Sequence, residues 1–205
     1  MTRKAAVLLA LMALTALAFF SWRRFSTRAA DLHLAPRAVK AVPRFTVAEA
    51  PTYLQADPRW AEARIGGSGE PLAAVGCTLC CLSMALAQHG LDVPPLELNR
   101  QLAQAVGYTE DGWVKWNALE KVTAQAVRIE LPRNPSHQDL DEALQAGCPI
   151  LVKVQLGAGV LHWVLLVGRD QNDYLMKDPL GDGKSLRPLA ALRSDILAVR
   201  IVRKR

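Results

Sequence analysis

Four cysteines (77, 80, 81 and 148) and four histidines (33, 89, 137 and 162) make up the reactive inventory of this 205-residue chain. A thiolate needs a base within hydrogen-bond reach to act as a nucleophile toward a carbonyl, so the question is which cysteine can meet which histidine. Cys77 opens an apolar run from Gly76 to Gly90 that ends at a glycine suited to the C′ position, which predicts a helix buried at the domain centre. At its first turn, orphan backbone amides and the helix dipole favour the thiolate. Cys80 and Cys81 lie deeper on the same all-apolar helix and read as small core residues. Cys148 sits in a Gly-Cys-Pro turn and reads as a tolerated small residue.

The histidines sort by place. His33 falls in a stretch without periodicity, and His137 falls in a capping loop. His89 is twelve residues along the Cys77 helix, hence about 18 Å away. His162 remains. It begins His162-Trp163-Val164-Leu165-Leu166-Val167-Gly168, a strand apolar enough to need no histidine for its fold, although a buried structural imidazole with a backbone partner is the plain alternative.

The elements that must position these groups follow from periodicity and punctuation. Pro95 opens a helix to about Ala105, and Gly112 precedes another over 113–123. Ala126 to Leu131 alternates as a strand. Ser136 with Asp139 starts a helix that Gly147 and Pro149 close. Ile150–Leu156, Leu161–Val167, Tyr174–Lys177 and Ile196–Val202 read as strands. Helices followed by a largely antiparallel sheet give an α+β fold. If the hairpin turns around Asp170 through an odd-membered loop, opposed residue numbers sum to 340. Val164 then meets Met176, Leu166 meets Tyr174, and His162 faces Asp178, whose carboxylate would orient the imidazole. A turn-forming Asp-Pro is the competing reading of Asp178. Trp60, Trp113 and Trp116 are expected mainly in the core, with a groove wall as the alternative.

Charge is unevenly spread. Residues 1–45 hold eight basic residues and one acidic, whereas the remaining 160 hold 17 basic and 18 acidic, so no basic nucleic-acid surface is expected on the folded part. Ala5–Phe20 is almost purely apolar and is flanked by Arg3, Lys4, Arg23 and Arg24. A helix over Ala5–Trp22 would span about 27 Å, close to a bilayer core of roughly 30 Å. Residues 1–22 are therefore expected to be a membrane anchor, with a signal peptide as the alternative, 23–44 a linker, and 45–205 the folded domain. The domain is expected outside the cytoplasm, anchored or else secreted after cleavage.

Taken in order, Tyr53-Leu54-Gln55-Ala56-Asp57-Pro58-Arg59-Trp60, GGSGEPLAAVGCTLCCLSMALAQHG, GYTEDGWVKW, GCPILVKV, HWVLLVG and KDP resemble stand-alone papain-like peptidases of cysteine peptidase family thirty-nine, relatives of the domains that trim double-glycine leaders. The resemblance covers Tyr53 to about Gly183. It implies a papain-like fold with a central N-terminal helix on a mainly antiparallel sheet, and a peptide or protein substrate. It also implies Cys77 as nucleophile, His162 as general base and acid, Asp178 as orienter and Gln55 as a side-chain donor of the oxyanion hole. Gln55 lies 22 residues before Cys77, farther than in the exporter-fused leader peptidases. No exporter is seen in this sequence, so a leader substrate is not carried over. Two other classes compete: a thiol-disulfide oxidoreductase using Cys77-Thr78-Leu79-Cys80, and a catalytically silent papain-like binding module. No metal or cofactor is expected, since no second C-x-x-C or C-x-x-H pair is present and Asp178–Gly183 lacks the ligand spacing of a calcium loop.

Overall fold

The computed structural model describes residues 32–36, 42–46, 49–171 and 173–205. Residues 1–31, on which the anchor and signal-peptide readings fall, lie outside them. Among the described residues no helix is long and apolar enough to cross a membrane.

Among the described residues seven strands form one antiparallel sheet: β1 (Val42–Thr46), β2 (Val127–Glu130), β3 (Ile150–Gln155), β4 (Leu161–Gln171), β5 (Asp173–Lys177), β6 (Arg187–Pro188) and β7 (Ala198–Lys204). Their order is β2-β7-β3-β4-β5-β6, and β1 pairs with β4. β3 takes residues 161–166 of β4, while β1 takes 168–171. Among the described residues the α-helices are α1 (Leu72–Val75), α2 (Cys77–Gln88), α3 (Pro95–Gln104), α4 (Trp116–Val122) and α5 (His137–Gln145).

The apolar runs of β3 and β4 have a physical cause: both sheet faces are covered. Leu151, Trp163, Leu165 and Val167 join the core of α2, α3 and α4, and the alternate residues Ile150, Val152, Val154, Val164 and Leu166 pack with Leu140, Ala143 and Leu144 of α5. Every residue of α2 from Leu79 to Leu86 is buried, which is why that helix carries no polar stripe. On the opposite face, α5 starts in a capping box in which the Asp139 amide donates to Ser136 Oγ and the Ser136 amide donates to Asp139 Oδ2 at 2.6 Å.

Three expectations differ from what is observed. The helix placed over 113–123 starts only at Trp116, because Tyr108 and Val114 bridge across a tight turn. β1 falls partly in the stretch read as linker, and Leu34 bridges Ile196, so the compact body reaches back to Leu32. These short N-terminal pieces borrow their pairing from distant strands, which local periodicity does not register. The third difference is the β4–β5 register. Asp170 pairs with Asp173, leaving two residues between them rather than an odd number. Arg169 faces Tyr174 and Gly168 faces Leu175, then a bulge intervenes, and Leu166 faces Met176.

That bulge decides the site. Near the turn, opposed numbers sum to 343; continued unbroken, that register would put Asp178 opposite Leu165 and on the face away from His162. Beyond the bulge the sum is 342, which sets Asp178 opposite Val164, on the same face as His162 and diagonal to it. The expected sum of 340 was off by two, and an even error preserves the face.

Candidate active site

Cys77 is the first residue of α2, and Gly76 ahead of it closes α1 with an N–H to Leu72 O at 2.8 Å. Cys77 is half-buried, whereas Cys80, Cys81 and Cys148 are buried. Burial opposes its thiolate, but the hydrogen bond and charge of His162, helped by the Trp163 amide and the Thr78 hydroxyl, bring its pKa below the usual thiol value. Cys80 goes the other way: burial and the neighbouring Cys77 charge push its thiol up. Cys81 Sγ reaches the Trp163 carbonyl at 3.4 Å, so the backbone of one β4 residue is tied to α2 beside the site.

His162 is the second residue of β4 and is buried. Its Nε2 lies 2.8 Å from Asp178 Oδ1. A carboxylate only accepts, so Nε2 carries the proton and Nδ1 is left for Cys77. Burial disfavours the imidazolium, yet Asp178 and Cys77 together raise its pKa to about 9. Asp178 itself is buried; burial would raise its pKa, but the His162 hydrogen bond, the Leu180 amide and the Arg187 charge hold it below the usual carboxylate range. Leu180 N–H donates to Oδ1 at 2.9 Å, and Arg187 Nη1 stands 3.5 Å from Oδ2.

Gln55 is buried against the same cleft. Its amide donates to Pro179 O at 3.1 Å and its Nε2 to Ala73 O at 2.7 Å, so it spans from the segment after Asp178 to the helix before Cys77. The long spacing to Cys77 is taken up by a packed turn, in which Trp60 Nε1 donates to Leu54 O and Trp60 meets the Tyr53 ring edge-on. Cys77, His162 and Gln55 all line one cleft of about 310 Å³.

The other candidates are elsewhere. His89 meets Val202 O, His137 meets Tyr174 and Ala35, and His33 stands 3.6 Å from Asp195. Trp60 is core and Trp116 packs on Trp163, but Trp113 is 59% exposed and walls the cleft, against its expected place in the core. Arg187 was not singled out from sequence. Its neighbours carry no motif, and only the fold of β6 back along β5 brings it to Asp178.

This α+β body, with a cysteine at the start of a buried helix and a histidine at the start of a strand, has the architecture of a papain-like cysteine peptidase. The sequence profile of the Peptidase C39 family matches residues 73–194, which contain Cys77, His162 and Asp178 but not Gln55. The chain belongs to the Peptidase C39 family and is a cysteine-type peptidase. Among solved structures it is similar to a protein described as a C39-like peptidase from Bacillus anthracis, with 16% identity and a TM-score of 0.53 over 80% of this chain and 99% of that one. A double glycine motif protease from an AMS/PCAT transporter, solved in complex with the leader peptide, is 16% identical with a TM-score of 0.46, covering 82% of this chain and all of that one. No curated protein matches.

Proposed function

We propose that the chain hydrolyses peptide bonds through Cys77, His162 and Asp178 by way of an acyl-enzyme. The observation that carries this reading is the His162 ring held between Cys77 and Asp178, with the thiol pKa lowered and the imidazole pKa raised. Opposite shifts of this kind favour the thiolate–imidazolium pair over the neutral thiol and imidazole. The Cys77 thiolate attacks the carbonyl carbon of the scissile bond. The oxyanion that forms is held by the Cys77 backbone N–H and by the second Nε2 hydrogen of Gln55, the first being engaged by Ala73 O. His162 gives its Nδ1 proton to the leaving amine as the C–N bond breaks, leaving the acyl group on sulfur. His162 then takes a proton from water, the resulting hydroxide attacks the thioester, and the thiolate departs. Asp178 holds the ring in the required tautomer throughout.

The oxidoreductase alternative needs an accessible second thiol. Cys80 is fully buried with its thiol pushed up, which argues against exchange with Cys77. Residues 1–22 complete the proposal as a membrane anchor that holds the domain outside the cytoplasm.

The test is an epoxide-type thiol inhibitor followed by peptide mapping. Modification of Cys77 alone, together with loss of peptide cleavage in Cys77→Ser at unchanged unfolding, is the expected result. Equal labelling of Cys80, or cleavage retained in Cys77→Ser, refutes the proposal. A reversible Cys77–Cys80 disulfide whose loss in Cys80→Ser removes the activity assigns the site to thiol-disulfide exchange instead.

A further inference from the structure

Among the described residues eight large apolar side chains are exposed, and five of them (Val75, Trp113, Val160, Leu161 and Leu180) line the cleft that holds Cys77. Scattered exposed apolar residues need no explanation, but a cluster around one cleft does. Four of the five are placed by the candidate catalytic residues themselves. Val75 lies two residues before Cys77, Val160 and Leu161 directly precede His162, and Leu180 lies two residues after Asp178 and donates its amide to that carboxylate. The chain segments that deliver the triad therefore also deliver an apolar rim.

The fifth, Trp113, comes from a separate loop that is held rigidly. Its N–H donates to Thr109 Oγ1 at 3.0 Å, and its carbonyl accepts from the Thr109 amide at 2.8 Å. The loop interlocks with residues 66–69 through two glycines at positive φ. A Cβ on Gly67 would lie 2.1 Å from Thr109 O, and one on Gly112 would lie 2.7 Å from Ser68 Oγ. Only glycine lets the two backbones approach so closely. An indole more than half in solvent on a loop braced in this way is a partly preorganised anchor, since the backbone that carries it is already ordered when a ligand covers the ring. The polar rim has both signs, Lys153 with Glu70 and Asp111, so charge does not select the ligand.

We infer that the cleft recognises a peptide through a bulky apolar or aromatic side chain, seated against Trp113 and Leu161 beside the scissile bond, and not through a glycine pair. This rests on the peptidase reading above for its position next to the reacting carbonyl. The cleft of about 310 Å³ is at the small end of ligand sites, roomy enough for bulky side chains, and glycines would leave its apolar walls wet.

The test separates binding from turnover. Fluorescein-labelled decapeptides that differ only in a central Phe-Leu, Ser-Ser or Gly-Gly pair are titrated against the full-length Cys77→Ala protein by anisotropy, and the same peptides are offered to the wild-type protein. Phe-Leu is expected to bind about tenfold tighter than Gly-Gly or more, the scale of one well-seated anchor. Trp113→Ala should bring that ratio to within about twofold, Leu161→Ser should lower it, and Trp113→Phe should keep most of it. Gly-Gly binding as tightly as Phe-Leu, a ratio unmoved by Trp113→Ala and Leu161→Ser, or no peptide bound at all overturns the inference. Selective Phe-Leu binding without cleavage of any peptide by the wild-type protein refutes the peptidase reading alone. Cleavage with glycine preference refutes the apolar subsite alone.

Discussion

Both oxygens of Asp178 are engaged, Oδ1 by His162 and the Leu180 amide, Oδ2 by Arg187, and the two partners differ in weight. His162 is buried and meets the carboxylate at 2.8 Å, so its protonation is set there. Replacing Asp178 by Asn removes the charge that offsets burial, and the His162 pKa should fall from about 9. The pH profile of Cys77 alkylation should show its alkaline limb moving down, and turnover should drop roughly 10- to 100-fold with KM little changed. Arg187 is 41% exposed and 3.5 Å away, so solvent screens it; Arg187→Ala is expected to change turnover by less than about fivefold. The same shifts bear on stability. His162, raised above its ordinary 6.5, contributes stability that is complete below that value and is lost as pH rises through about 9. Asp178, lowered below 3.8, contributes stability present above that value and lost as pH falls through its folded value. Denaturant midpoints of wild type and Asp178→Asn should therefore differ most between about pH 3.8 and 6.5, narrow in part as pH rises through about 9 and His162 loses its charge, and narrow again in acid as Asp178 takes up a proton.

At the scale of elements, the hairpin and its bulge are the sensitive parts. One alanine inserted between Lys177 and Asp178 would carry the carboxylate to the other sheet face while leaving the pairs from Leu165–Lys177 inward as they are. Peptide turnover is expected to fall by about two orders of magnitude with a nearly unchanged urea midpoint, which separates loss of orientation from loss of fold. Helix α5 offers the converse. Ser136→Ala breaks its capping box on the face away from the cleft and should cost about 1 kcal/mol in urea unfolding, while the rate of Cys77 alkylation stays the same.

Over the whole molecule, a sheet buried on both faces makes its central strands the structural keystone. Leu151→Ala, at a fully buried position of β3 facing α2, should cost about 2–5 kcal/mol in unfolding. The compact unit that begins at Leu32 implies that removing residues 1–31 leaves cooperative unfolding of the remainder unchanged. If residues 1–22 are the anchor we propose, the full chain should sediment with membranes and the truncated one should not, a fractionation experiment that reads both halves of the claim.

The sequence by itself determined what depends on neighbours along the chain. The apolar run after Gly76 specified a buried helix with Cys77 at its first turn, Ser136 and Asp139 specified a helix start, and the predominantly apolar runs of β3 and β4 specified strands. Elimination by position brought Cys77 and His162 together, because distance along one helix excludes His89 and loop placement removes the rest. The tertiary structure decided what depends on partners far apart in sequence. A bulge in β4 beside Gly168 set the face of Asp178, a glycine that can hint at a bulge without fixing the register that results; pairing with β4 made a strand of residues 42–46; and the return of β6 brought Arg187 to the carboxylate. Trp113 shows the same division most plainly. Its type suggested burial, and only the interlock of two glycine turns, a contact between loops some 45 residues apart, leaves it standing in the cleft.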